Sequence, residues 1–233
     1  MRQTAIWVGI AWGFLTTVET KADGLLHRLS EDGAWVRYIV TVRDSDGDMT
    51  GNMILRSVGR ASVEGQQCRW IELQFETDRL KAITKLLIPE THLKTGQSPL
   101  DHLVRGWLKL GDRATRKLDD MAAWGLLPYL LTPPLRDSKE LETAEVVEWA
   151  QGSLKCAIRT GNLKLKPMSP TGRRLEEDVS YEVGLHEEIP FGVAIARLSI
   201  RLKRDGEWEK VGTVTIAAAD TGTDARSQLP EFQ

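Results

Sequence analysis

Apolar and polar residues alternate along the first long patterned stretch of the chain. Val36, Tyr38, Val40 and Val42 take every second place against Arg37, Thr41 and Arg43, the period of a strand with one buried face. Met49 to Val58 resumes an extended pattern. Between them, "RDSDGD" is rich in residues that tolerate turn geometry and reads as a hairpin connection. In "CRWIELQF", Ile71, Leu73 and Phe75 share one side, with Cys68 and Trp70 on the other. "AITKLLIP" follows as a fourth strand, stopped by Pro89.

The period then changes. Ser98, Pro99 and Asp101 have the spacing of a hydroxyl N-cap, a proline at the first helical position and an acid at the third. Leu100, Leu103, Val104, Trp107 and Leu108 then fall on one face of a helix, which Gly111 stops. A second helix is expected over Arg113 to Trp124, leading into the uncharged "MAAWGLLPYLL" at 121–131. Strand patterns return in "AEVVEWA" and "LKCAIRT", then in the alternation Val179, Tyr181, Val183, Leu185. Ala194, Ala196, Leu198, Ile200 and Leu202 share a face of the next strand, and Asp205-Gly206 signals a hairpin into "EWEKVGTVTIAA".

These elements predict an α+β fold: a curved, half-barrel-like antiparallel sheet of about nine strands, with two helices inserted after the fourth and covering its apolar face. One domain is expected over 23–233, with 220–233 a frayed tail.

The N-terminus changes the picture of where this domain works. Arg2 precedes an uncharged, largely apolar run from Ala5 to Val18, and Thr20 and Ala22 stand at the small-residue places of a cleavage site before Asp23. This is the pattern of a secretory signal over 1–22; an uncleaved anchor is the alternative. The run is shorter than the ~20 residues that span a bilayer comfortably. The expected location is periplasmic or extracellular, with peripheral or no membrane association after cleavage.

Lysine plus arginine number 31 and aspartate plus glutamate 33, a net charge of −2. Losing Arg2, Glu19 and Lys21 with the leader makes it −3. Mild acidity gives no electrostatic case for a nucleic-acid partner. Two cysteines remain, Cys68 and Cys156. An oxidising compartment permits a disulfide between them; two buried free thiols are the alternative.

Local catalytic or metal motifs are not found. "DSDGD" fails as a calcium loop: starting at Asp44, Met49 and Leu55 occupy the glycine and glutamate places, and starting at Asp46 the twelfth place is Ser57. Strands, not helices, flank it. "DTGT" at 220–223 resembles the catalytic loop of aspartic proteases, but that chemistry needs two carboxylates. A second motif is absent, and eleven residues follow Gly222. His27, His92, His102 and His186 are scattered without metal-ligand spacing. No nucleophile elbow, P-loop or dinucleotide fingerprint appears. The expectation is a non-enzymatic protein with no metal and no cofactor. Trp35 and Trp70 share strand faces with Arg37 and Glu72, where aromatics serve either cross-strand pairing or the binding of sugars or partners.

A leader, a run of antiparallel strands, an inserted amphipathic helical segment and a return to long strands resemble the periplasmic lipoprotein-carrier (outer-membrane lipoprotein-sorting) group, at the level of architecture. The resemblance implies helices over a concave apolar sheet face, with a groove that holds acyl chains. The residues point to the same place. Segment 121–131 is too apolar for an exposed connection and packs on the sheet, as a movable lid or a static plug. The candidate groove is Trp107, Met121, Trp124, Leu127 and Leu130, facing Val40, Leu73, Leu198 and Ile200. The function expected is binding or carrying an apolar or lipid-like ligand in the cell envelope. The alternative is a structural or interaction module with an envelope protein as partner; a hydrolase comes third.

Overall fold

The computed structural model describes residues 24–44, 47–78, 80–92, 102–118, 138–165, 176–204 and 206–230. Within them lie twelve strands: β1 (Trp35–Asp44), β2 (Gly47–Val63), β3 (Gln66–Glu76), β4 (Lys81–Pro89), β5 (Arg105–Leu110), β6 (Arg116–Lys117), β7 (Lys139–Glu140), β8 (Glu145–Trp149), β9 (Gly152–Leu165), β10 (Glu177–Leu185), β11 (Val193–Arg204) and β12 (Glu207–Gly222). Every pairing is antiparallel, in the order β6-β5-β4-β3-β2-β1-β12-β11-β10-β9-β7, with β8 paired to β9. The chain enters at the centre of the sheet, meanders to one edge, resumes at the other edge and meanders back. β1 and β12 close the centre.

Short turns set the registers. Asp44 pairs with Gly47, so β1 and β2 are consecutive antiparallel strands joined through "DSDGD", whose residues 45–46 lie outside the described residues. Val63 pairs with Gln66, and the intervening Glu64 and Gly65 both have positive φ, 52° and 79°. That backbone matches the right-handed twist of the flanking strands. Arg204 pairs with Glu207, placing the Asp205-Gly206 signal in the β11–β12 loop.

Period-2 alternation sends Val36, Tyr38 and Val40, Met53 and Leu55, Ile71 and Leu73, Val179, Tyr181 and Val183, and Ala196 and Leu198 into one buried cluster. Leu25, Leu26, Ile189 and Phe191 join it from outside the sheet. The first segment is tied down by polar contacts: Arg69 Nη1 donates to the Ser30 carbonyl (2.6 Å) and the Phe191 amide donates to Ser30 Oγ (2.6 Å). Phe191 is held at φ 65°, a costly conformation for a non-glycine residue. It lies between these contacts and the bond from the Arg28 amide to its carbonyl.

The α+β expectation is corrected. Among the described residues the only helical elements are three-residue 3₁₀ turns, Gly24–Leu26, Glu90–His92 and Pro190–Gly192. The nine expected strands correspond to β1–β4 and β8–β12. Where helices were expected, Arg105–Leu110 is β5 and Arg116–Lys117 is β6. The physical reason lies in β4, which is buried on both faces from Ile83 to Pro89. Its free backbone edge needs a partner, and β5 supplies one from Arg105↔Leu87 to Leu110↔Ala82. Gly106 is the signal against a helix, since glycine costs a helix interior ~1 kcal/mol relative to alanine. A Cβ there would lie 3.0 Å from Leu118 Cδ1 and 3.3 Å from Leu103 Cδ2. Segments 1–22, 98–101 and 121–131 lie outside the described residues. Within the stretch read as a frayed tail from 220, Asp220–Gly222 belong to β12 and Leu229 is buried. Cys68 on β3 and Cys156 on β9 are both buried and free.

Candidate functional site

The sheet's second face carries a trough of ≈ 820 Å³ over β9 to β12. Its floor carries two polar rows that run across the strands, with Gly161, Tyr181, Leu198 and Val214 lining it between them. One row is Thr160, Glu182, Arg197 and Thr215; the next is Asn162, Ser180, Ser199 and Thr213. All eight positions are hydroxyl, amide or charged. They alternate with the apolar residues that fill the other face, so the same period that builds the core builds the trough. Neighbouring members of a row stand one strand spacing apart, about 4.8 Å.

Arg197 organises the first row. Its Nη1 and Nη2 donate to the two carboxylate oxygens of Glu145 on β8, at 2.8 and 2.5 Å. Nη1 also donates to Glu182 on the adjoining strand, at 2.5 Å. The hydrogen bonds from Arg197 hold the Glu145 carboxyl below its usual range, against the opposing effect of burial. The same contacts raise the Arg197 guanidinium. The pair therefore stays ionised through neutral pH, and the arginine is fixed rather than free to swing. Lys139 of β7 adds a cation to the lining.

Chemically this is a surface for donating and accepting hydrogen bonds. Among the described residues no histidine lines the trough, so neither serine has a described imidazole beside it to act as base. Among the described residues no group of three or more His, Cys, Asp or Glu is placed to hold a metal. A smaller cleft of ≈ 270 Å³ is lined by His27, Arg28, Glu140, Arg159, His186 and Glu187. Arg28 Nη2 bridges it through the carbonyls of Glu187 and Ile189.

The strand residues of the expected groove, Val40, Leu73, Leu198 and Ile200, all belong to the main core cluster or pack against it. Trp107 does not join them. It stands on the opposite face with Trp70, Ile83 and Leu229. Met121, Trp124, Leu127 and Leu130 lie outside the described residues. Of the two decoy motifs, Asp48 pairs with Arg43 (3.3 Å) and Asp220 with Arg37 (3.9 Å). Gly222 of "DTGT" leaves room for Trp35, whose indole would lie 2.5–2.8 Å from a Cβ there. Sequence reasoning missed Arg197, Glu145 and Glu182, which come from three strands and meet only through register. The weak signal was the all-polar set Ser180, Glu182, Arg197, Ser199, Thr213, Thr215 at period 2.

No family model matches the chain, and no curated protein matches it. Solved structures resemble it distantly. A DUF1329 family protein from Desulfovibrio piger is 10% identical over 82% of this chain and 85% of its own, with a TM-score of 0.38. A protein presumed exported, with a YmcC-like fold, from Bacteroides fragilis is 9% identical over 86% of this chain and 99% of its own (TM-score 0.36). A presumed lipoprotein from Parabacteroides distasonis is 8% identical over 87% of this chain and 100% of its own (TM-score 0.39). At this level of likeness nothing about function follows from them.

Proposed function

We propose that the chain is an exported, non-enzymatic binding protein of the cell envelope, and that its ligand is polar and hydroxyl-bearing, of saccharide type, lying across the strands in the trough. The observation that carries the reading is the pair of transverse rows, eight polar positions with a fixed guanidinium between two carboxylates. Such a ladder of donors and acceptors suits a ligand that repeats hydroxyl groups along its length. Export rests on the leader pattern over 1–22 and is compatible with the fold. Leu25 and Leu26, just beyond the expected cleavage point, are core residues, and cleavage there retains both in the mature chain.

An acyl ligand needs apolar space. The strand members of the expected groove, Val40, Leu73 and Leu198, are instead packed in the core, and part of the reason for the lipoprotein-carrier likeness goes with the helix expected over 98–111.

Titration of the mature chain with cello-, malto- and chito-hexaose by calorimetry tests the reading, with a fluorescent fatty acid as the contrasting probe. Saturable binding of a saccharide, lost in Ser199→Val and Thr213→Val variants of unchanged stability, is the expected result. Saturable fatty-acid binding without saccharide binding would return the apolar ligand. Binding of neither would leave the interaction module.

A further inference from the structure

Beyond β12 the chain does not leave the molecule. Trp35 Nε1 donates to Asp224 (2.8 Å) and the Ala225 amide to the Gly33 carbonyl (2.8 Å). Residues 227–229 then dock on the outer face of β3–β5, at the far end of the sheet from the trough.

The receiving face is a third transverse row: Arg56 on β2, Glu72 on β3, Lys85 on β4 and Trp107 on β5 are successive cross-strand partners. Glu72 is fully buried. Its carboxylate accepts the amides of Gln228 (3.0 Å) and Leu229 (3.2 Å) and lies 2.9 Å from the Ser227 hydroxyl. Lys85, 2% exposed, donates to Ser227 Oγ (2.9 Å) and to the Leu229 carbonyl (3.3 Å). Its ammonium stands 5.2 Å from the Trp70 ring centroid. Leu229 drops between Trp70, Ile83 and Trp107, the two indoles 5.2 Å apart.

This is an arrangement for recognising a peptide. Glu72 meets two consecutive backbone amides and the hydroxyl, Lys85 meets the hydroxyl and one carbonyl, and the indole pair meets one apolar side chain. A strap whose only duty was to cover the sheet would be held as well by apolar contact, because a buried ion pair adds little net stability over apolar packing. What the charges add is tolerance of the open state. With the strap lifted, Glu72 and Lys85 meet water instead of leaving a bare apolar face.

We infer that the outer face of β3–β5 is a binding site for a Ser-x-Leu peptide of another protein in the same compartment, bent so that its serine hydroxyl reaches the leucine carbonyl, and that the chain's own Ser227-Gln228-Leu229 is the resident competitor. The occupant is defined by what the site grips: a hydroxyl, then two exposed amides, then leucine. The inference does not depend on the trough or its ligand.

The test uses the full-length chain. Leu229→Asp places a carboxylate where the indoles close and dislodges the strap. A fluorescent peptide of residues 225–232 is then expected to bind this variant saturably. The same peptide with its leucine replaced by aspartate is expected to fail. Wild type binds about tenfold or more weakly, because only the strap-open fraction is competent. Retained β-sheet circular dichroism and an unreactive Cys156 establish that the variant is folded. Hydrogen exchange on wild type gives an independent reading. The Gln228 and Leu229 amides are expected to exchange about 100-fold or more faster than those of β3, by local opening. A folded Leu229→Asp chain that ignores the peptide, a wild type that binds it equally well, or strap amides that exchange only with the whole sheet would each overturn the inference.

Discussion

Two ion clusters stand on the same face of the sheet, one on β2–β4 and one joining β8, β10 and β11. Both join an arginine to a glutamate on the adjoining strand and include a third charge, Lys85 of β4 in the first and Glu145 of β8 in the second. They differ in water. Around Glu72 the side chains of Glu72 and Arg56 are 0% and 12% exposed. Around Arg197, the arginine is 39% exposed and each glutamate 36%. The first cluster is closed by the backbone of residues 227–229; the second lines an open trough. The same chemistry thus does two jobs. Where the chain covers it, every lone pair must be matched from within, and the charges specify one peptide conformation. Where it stays wet, the ions hold each other and leave the neighbouring hydroxyls and amides open to solvent.

The sharpest way to break this contrast is to delete one charge from each side. Glu72→Ala leaves the partly covered Arg56 without its counter-charge, the buried Lys85 without the carboxylate on the adjoining strand and the strap's donors without an acceptor, at an expected cost of about 3–5 kcal/mol. Arg197→Ala removes a partner from carboxylates that water still reaches, for at most about 1 kcal/mol. Urea unfolding of both variants measures the difference. Equal losses would mean that the trough cluster is as structural as the buried one.

A second comparison concerns apolar anchors. Leu229→Ala empties the cup between the indoles. Deleting a buried leucine costs ~2–5 kcal/mol in a rigid core, but a strap that can lift limits the loss, so about 1–3 kcal/mol is expected. Val146 on β8 is 59% exposed, and Val146→Ala should stay within about 0.5 kcal/mol of wild type. Thermal melts of the pair decide whether the strap or β8 is the better anchored cover.

The two thiols report on the two regions separately. Burial raises both from their ordinary value, with the neighbouring Glu90 adding to the effect at Cys68 and Glu145 at Cys156, which is pushed up to about 11. At pH 8 neither is expected to react with iodoacetamide except through opening. Leu229→Ala should speed labelling of Cys68, on the strand that carries Glu72, and leave Cys156 unchanged. Arg197→Ala should do the reverse, because Cys156 pairs with Glu145 in the β8–β9 hairpin. Mass spectrometry of labelled peptides reads both rates. Equal acceleration of both thiols in either variant would show one cooperative unit and no regional independence.

The sequence patterns carry the sheet better than the sites. Alternation marked nine strands because one face of each is core, and Asp205-Gly206 marked its hairpin through glycine's backbone freedom. Segment 105–110 was misread because six residues are too few to separate a 3.6 period from a 2.0 period, and the decisive demand, the open edge of β4, lies elsewhere in the chain. The ion clusters were invisible for another reason. At period 2, Glu72 and Lys85 read as solvent-facing; residues 227–229 cover them, and that polar segment advertises itself by a single leucine. Arg197 and its two carboxylates are separated by 52 and 15 residues, so their meeting depends on the registers of three pairings.

The smallest expected effect is the pH dependence of the trough clamp. The hydrogen bonds from Arg197, and then its charge, hold Glu145 below the ordinary value of 4.5, with burial pulling the other way. A carboxyl lowered on folding contributes stability that is complete above its unfolded value and is lost as pH falls through the lower folded value. Because Glu145 is more than a third exposed, solvent screening leaves that contribution at about 0.2–1 kcal/mol. The stability gap between wild type and Arg197→Ala should therefore be flat from about pH 7 to 5 and close below about pH 4. It should also narrow in about 1 M salt, where screening acts within a few ångströms. The deficit of Leu229→Ala is apolar and should follow neither variable. A gap for Arg197→Ala that survives both acid and salt would assign its contribution to packing of the arginine stem. The trough would then lose its electrostatic clamp, and the contrast with Glu72 would rest on burial alone.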